Sequence, residues 1–570
     1  MPGGRGGGGS SAPAALLFVC GLAIFSLYYA VFLKGRPTFW PDTYEYAQVA
    51  RNLVEGRGLT ADSTTVMESW IFRDRTFATP APYFFHDVGQ AILLALFFRV
   101  FGVSDGTIGW MSGAFFALLV PLAYLLGLRV FGTRRTALMG AALVALNGQL
   151  MAYSATGLTE IPFAFFLTLL LYVLYGPRRR WGLALGGVVY GSLIVLRSNS
   201  LPFLPLIALF LLLDPAETSG GGAGALPSSR GSLVARLRGG TARLVPFLVG
   251  LCLVVGPNAV RNYRTLGHPF GTVVTSHMLL LHTSAIEGKS KEVFSQPALS
   301  AEPIEFFVQH PSEMTGKIQK QLWDALEMLL NGGLPGGRNW SDVILLFLFV
   351  LALLAPPPDE SRRQRLLRRL VVGFILTTLV VGAVVHLRWR YLYGFFPVIL
   401  LYDAELLSRI LGRSRDLGLA SGERGSAWSA AGVVLLLGAL GAGRVWVEVA
   451  SPAALDARER DNYYRAVGEF VRANTRKGAV ILARNADQGE LRALGWYGRR
   501  RLVEFADSSL AILTSKPSPG ALFLLSTSGH GEDRPTDVEM AGFTPVSAWH
   551  AGSGDHASLC RWEPRTGRGF

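Results

Sequence analysis

The sequence predicts a polytopic α-helical membrane protein of about eleven transmembrane helices, followed by a small α/β domain. Three observations carry that prediction. Apolar residues make up 50% of the chain and charged residues only 16%, with a mean hydropathy of +0.35. Apolar runs close to the ~20 residues that a bilayer crossing requires recur along its length. Arginines concentrate in the short loops between alternate runs, the pattern expected of loops held on the cytoplasmic side.

Residues 1–13 are Gly-rich with one arginine and read as a disordered cytoplasmic tail. Spans are predicted at 14–33, 107–131, 135–153, 159–176, 181–196, 200–214, 244–262, 341–356, 370–386, 392–411 and 428–446. The first is followed by further spans rather than a soluble body, so it reads as a retained helix and not as a signal peptide. With the N-terminus inside, the basic loops around Arg134-Arg135, Arg178 to Arg180, 230–243, 362–369 and 409–424 all fall on one side. The net charge of +14 is spent there, which argues against a nucleic-acid partner. Cys20, Cys252 and Cys560 are too scattered for a disulfide framework or a zinc site.

The transmembrane domain is thus 14–446, with outer loops 34–106 and 263–340 and a Gly/Ser/Arg-rich cytoplasmic linker at 215–242. Loop 34–106 reads as a helix from Thr43 to Glu55 and an amphipathic, interfacial one over 88–101. A helix is also expected over 314–331. Residues 447–570 change character, and from 458 a helix, a strand at 479–483, a helix from 488, and strands at 501–505 and 521–525 alternate. That alternation predicts a small extracytoplasmic α/β domain.

The predicted topology gathers unusual residues at the outer membrane edge. Asp42 and Glu45 stand one helical turn apart just beyond the first span, and ionised groups at a bilayer usually serve a function. They also satisfy the pattern of a helix cap with a capping box. Glu160 begins the fourth span, where it equally suits the positive end of the helix dipole. Arg197 lies in a tight turn between spans, and Arg388 and Arg390 alternate with Trp389 and Tyr391; snorkelling and interfacial anchoring account for these as well. His86-Asp87 reads as a catalytic pair or as a cap for the interfacial helix. Taken jointly, the set suits one chemistry. Carboxylates activate a hydroxyl or hold a divalent cation, while arginines grip the phosphate of a lipid.

These residues resemble the C-type integral-membrane glycosyltransferases (GT-C), most of all the branch of protein O-mannosyltransferases and the bacterial aminoarabinose transferase of lipid A. The likeness rests on Pro41-Asp42-Thr43-Tyr44-Glu45-Tyr46 with Ala50-Arg51-Asn52-Leu53, and on the run from Ala95 to Ser104. Phe131-Gly132-Thr133-Arg134-Arg135, Tyr153-Ser154 with Glu160, Leu196-Arg197 and Arg388-Trp389-Arg390-Tyr391 complete it. The resemblance implies the GT-C fold, and the high use of Gly, Ala and Arg, as in a GC-rich genome, points to a plasma membrane such as a bacterial inner membrane. The resemblance further implies a polyprenyl-phosphate-linked sugar donor and inverting transfer of one sugar to a lipid, glycan or protein hydroxyl at the outer face. Carried over, Asp42 is the catalytic carboxylate, and Glu160 and Glu45 are second acidic or metal-holding residues. Arg388, Arg390 and Arg197 would bind the donor phosphate, with Tyr44, Tyr391 and His86 as further candidates.

The chain departs from the pattern in places. A single Asp is followed by Thr43 where many relatives carry adjacent acids, and no Trp-Trp-Asp motif of oligosaccharide transfer is present. Two other classes remain open: a transporter or flippase of a lipid-linked intermediate, and a non-catalytic GT-C-like scaffold. A transporter predicts mid-span ionisable groups and internal repeats.

Overall fold

The computed structural model describes residues 11–33, 39–65, 81–177, 179–213, 233–267, 269–270, 278–279, 283, 303–331, 340–416, 431–443, 452–484, 488–505, 522–528, 543–550 and 556–562. Among the described residues, helices fall on the segments read as spans. Among the described residues, Ser11–Val31, Asp105–Phe131, Gly240–Leu266 and Arg362–Val384 are long and apolar enough to cross a membrane. Shorter apolar helices include Glu160–Leu174, Arg180–Leu196, Ser198–Leu213, Asp342–Leu354 and Ala431–Gly443. Chain breaks account for some of the shortness. Asn147 interrupts the third segment and accepts from the Leu150 amide to start a new helix, Gly148–Tyr153. Arg197 leaves helical geometry and starts a 3-10 turn, Ser198–Phe203.

The helices pack closely where they carry small residues. A Cβ on Gly187 would meet the Phe247 carbonyl, and one on Gly250 would meet the Ala184 carbonyl. The helices Arg180–Leu196 and Leu233–Leu266 therefore approach backbone to backbone, as small-residue faces allow in lipid. The second of these helices begins at Leu233, inside the segment read as a linker; residues 215–232 lie outside the described residues.

The two helices expected in loop 34–106 form as Pro41–Val54 and Gly89–Phe101. They pack against each other, so the second hides one face while Leu96, Val100 and Phe101 remain exposed. The C-terminal region forms a six-stranded sheet in the order Ser63–Thr64, Arg501–Phe505, Val480–Arg484, Leu522–Ser528, His556–Trp562, Phe543–His550. The first four strands run parallel and the last two form an antiparallel hairpin. Helices Pro452–Asn474 and Gln488–Gly498 cover it, with Val467, Val471, Leu491 and Leu494 in its core. One edge strand, Ser63–Thr64, comes from the segment that follows helix Pro41–Val54 rather than from the C-terminal region.

Candidate functional site

The site forms at one end of the helical bundle from four distant stretches of chain. Helix Pro41–Val54 starts with Pro41 in its first turn and Trp40 at the N-cap, and no side chain caps it. The capping-box reading of Asp42 and Glu45 is thereby corrected: both carboxylates are engaged elsewhere. Thr43 Oγ1 donates to the Thr156 carbonyl at 2.7 Å, and Gln90 Nε2 donates to the Gly157 carbonyl at 2.6 Å. These bonds fix the turn that precedes Glu160. Gly157 sits at φ +73°, a left-handed conformation in which the Thr43 methyl leaves no room for a side chain.

The charges form a chain of pairs. Arg390 donates to Asp42 at 2.8 Å and lies 3.6 Å from Glu160. Arg197 donates to Glu160 at 2.6 Å and to Thr159 Oγ1 at 2.7 Å. Tyr391 presents its ring to both guanidinium groups, 5.0 Å from that of Arg197 and 5.7 Å from that of Arg390. His86 Nε2 stands 3.7 Å from Asp42 and 3.8 Å from Glu45. Glu45 is ion-paired with Arg492 of the C-terminal region.

Exposure separates the three acids. The Asp42 side chain is 24% exposed, against 3% for Glu45 and 1% for Glu160. Burial pushes the Asp42 carboxyl up, but Arg390 and His86 outweigh it and hold the group well below the usual carboxylate range. Arg390 is correspondingly held up: burial disfavours its charge, yet Glu160 and Asp42 more than compensate. Asp42 is therefore the accessible ionised carboxylate, while Glu45 and Glu160 serve as counter-charges.

The other predicted residues divide. Tyr44 turns away, with its ring against Phe39 and Tyr497 at 5.7 Å each. Tyr46, four residues after Asp42 and so on its helix face, is the buried tyrosine that lies near Asp42, Arg197 and Arg390 instead. Arg388 donates from Nε to His386 Nε2 at 2.6 Å, and burial lowers its pKa. Asp87 does not cap the interfacial helix; it accepts from the Ser198 amide at 2.7 Å and so holds the turn after Arg197.

Arg261, at the end of helix Leu233–Leu266, was not singled out. It donates to the Tyr83 carbonyl and lies over the Phe84 ring at 4.0 Å. Among the described residues, neither Arg261 nor Arg388 is ion-paired with a carboxylate. The signal that finds Arg261 is the one that marks Arg388 and Arg390: arginine on the side where the positive-inside pattern places few.

A divalent cation does not fit these donors. Each of the three carboxylates is already balanced by a guanidinium group, and no cluster of three or more His, Cys, Asp or Glu with metal-holding geometry occurs among the described residues.

The burial of Asp87 makes stability sensitive to pH. Burial pushes the Asp87 carboxyl up to about 6, against the opposing hydrogen bond from Ser198. A carboxyl whose folded pKa lies above its unfolded value of 3.8 contributes stability that is full below 3.8 and is lost as pH rises through about 6. The melting temperature of the parent relative to Asp87→Asn is therefore expected to rise as pH falls from about 7 to about 5. A difference that is flat with pH would refute this.

Comparison with known proteins bears on the fold. Residues 86–220 match the family described as dolichyl-phosphate-mannose-protein mannosyltransferase. An uncharacterized protein of Aquifex aeolicus is 29% identical over 124 residues, which cover 21% of this chain and 25% of that protein. The chain thus spans a quarter of that relative's length. The crystal structure of ArnT from Cupriavidus metallidurans bound to undecaprenyl phosphate superposes with a TM-score of 0.55 at 12% identity, covering 96% of this chain and 98% of that one. The archaeal oligosaccharyltransferase AglB from Archaeoglobus fulgidus, in complex with an inhibitory peptide and a dolichol-phosphate, gives 0.52 at 13% identity, covering 96% and 74%. The fold of the whole chain is thus similar to that of ArnT and AglB, and residues 86–220 within it carry the match to the mannosyltransferase family.

Proposed function

We propose that the protein transfers one sugar from a polyprenyl-phosphate-linked donor to an acceptor hydroxyl at the outer face of a plasma membrane, with inversion. The single observation that carries this reading is the contrast among the charged groups: an accessible ionised Asp42 stands at the same end as Arg388 and Arg261, which form no ion pair with a carboxylate among the described residues. The undecaprenyl phosphate bound to ArnT and the dolichol-phosphate bound to AglB support the donor class.

In this reading the acceptor oxygen attacks the anomeric carbon of the sugar while the bond from that carbon to the phosphate oxygen breaks. The leaving polyprenyl phosphate keeps the electron pair, and the acceptor proton passes to the Asp42 carboxylate. Arg388 and Arg261 meet the phosphate, since a guanidinium group offers planar paired donors to it. Arg197 and Arg390 are held by Glu160 and Asp42, so their part is to fix the two carboxylates. No step requires a metal. The C-terminal domain and the first outer loop lie on the outer side in this orientation.

The test is direct. Mass spectrometry of lipid co-purified with the protein is expected to show polyprenyl monophosphate sugar, and membranes supplied with such donors are expected to show transfer. Finding only bulk phospholipid and no transfer would remove the reading. Arg261→Gln is expected to weaken undecaprenyl phosphate binding by roughly 10–100-fold, the weight of a charge-assisted hydrogen bond. Unchanged affinity in a titration would take Arg261 out of the phosphate site.

A further inference from the structure

Helix Gln488–Gly498 of the C-terminal domain reaches into the membrane-edge site. Its Arg492 is 2% exposed, ion-paired with Glu45, and placed over the Phe85 ring at 4.2 Å. Phe85 in turn meets the His86 ring at 4.8 Å. The helix backbone is fastened to the Asp42 helix as well: Gln48 Nε2 donates to the Arg492 carbonyl at 2.6 Å, and Arg51 to the Trp496 carbonyl at 2.6 Å. Gln48 packs so closely on Gly495 that a Cβ there would lie 2.8 Å from its amide nitrogen.

The consequence falls on His86. Its Nε2 lies almost equally far from Asp42 and Glu45, two carboxylates that compete for one imidazole. Arg390 balances Asp42 from the membrane side, and Arg492 balances Glu45 from the C-terminal side. Among the described residues, Tyr46 and Asp87 also stand beside His86, the Tyr83 hydroxyl accepts from its backbone amide, and Asp87 is spent on Ser198. A buried Glu45 without Arg492 would take the nearest remaining donor, which is His86, and draw it from Asp42.

We propose that Arg492 is a positioning residue supplied by the C-terminal domain, neutralising Glu45 so that His86 is left to orient the Asp42 carboxylate. The domain is then part of the reaction centre rather than a cover over it. This inference rests on the reading of Asp42 as the proton acceptor.

The test uses the full-length protein in nanodiscs, comparing the parent with Arg492→Gln, Arg492→Lys and the double variant Arg492→Gln/Glu45→Gln. Arg492→Gln is expected to lower kcat by roughly 10²-fold with little change in the donor KM, since its effect is on proton transfer. Arg492→Lys keeps the charge and is expected to keep most of the rate. Removing the Glu45 charge in the double variant is expected to restore kcat to within about tenfold of the parent. Hydrogen exchange over residues 41–54 and 83–88 gives a readout that needs no substrate. It is expected to quicken in Arg492→Gln and to return towards the parent in the double variant. Parental kcat in Arg492→Gln, or a double variant as slow as the single one, would overturn the proposal. If the parent itself transfers nothing from any polyprenyl-phosphate sugar, the transfer reading fails separately. Exchange then decides alone, an unchanged rate in Arg492→Gln counting against the positioning role.

Discussion

Replacing Asp42 by asparagine is expected to lower kcat by about 10²–10⁴-fold, the usual weight of a positioned general base. The amide keeps the size of the carboxyl and can still accept from Arg390, which stays near Glu160 as well. What it loses is the charge and the capacity to take the acceptor proton. Donor affinity is expected to hold, because Arg388 and Arg261 do not depend on Asp42 for an ion pair. The separation of kcat from donor binding, measured on the same preparation, is what identifies the base. Because its pKa is held low, Asp42 stays ionised through the neutral range, and parental transfer should show no acid limb from this group above about pH 4. Transfer at the parental rate by Asp42→Asn would remove the residue from the mechanism.

The largest expected loss of stability comes from Arg51→Met. Arg51 is 1% exposed and joins three parts of the chain. It donates to Asp62 at 2.6 Å, to the Trp496 carbonyl at 2.6 Å and to the Gly495 carbonyl at 3.1 Å. Burial lowers its pKa, and the facing Asp62 carboxylate opposes that shift. Methionine fills much of the space but takes the guanidinium donors from two carbonyls and leaves the Asp62 carboxylate, among the described residues, with Arg57 and Asn52. A loss of roughly 3 kcal/mol is expected, since breaking a buried pair leaves polar groups desolvated without partners. Thermal unfolding should move down, and limited proteolysis should release the C-terminal domain sooner. Arg57→Met offers the contrast: its side chain is 34% exposed, and less than about 1 kcal/mol should follow. Equal losses in the two variants would contradict the burial argument.

Much of this architecture was legible in the sequence, for physical reasons that differ from element to element. Bilayer thickness sets the length of an apolar run, which is why helices lie over the segments read as spans. Helix periodicity sorts Tyr46 with Asp42, and following it further would have set Tyr44 aside. The strands at 480–484 and 501–505 announce themselves as short apolar runs between turn signals. The hairpin of Phe543–His550 and His556–Trp562 does not, because Pro545 and a register shift between Pro545 and Ser547 break its alternation. The partners of the charged residues were illegible altogether. Nothing local to Glu45 points to Arg492, nor anything in Asp87 to Ser198, since such pairs exist only once distant helices have met.

The edge strand Ser63–Thr64 carries a consequence for how the protein is made. It pairs with Arg501–Phe505, and the Gln48 bond beside it joins residues 444 positions apart. Ribosomal synthesis delivers the first of these partners long before the second. Contacts of such separation form late, since the loop between them must be closed first. The buried polar groups of residues 48–64 must therefore wait for their partners until the C-terminal sheet has formed. A chain cut short before the C-terminal sheet would leave those groups without partners, and such shortened chains are expected to be degraded faster than the full-length protein.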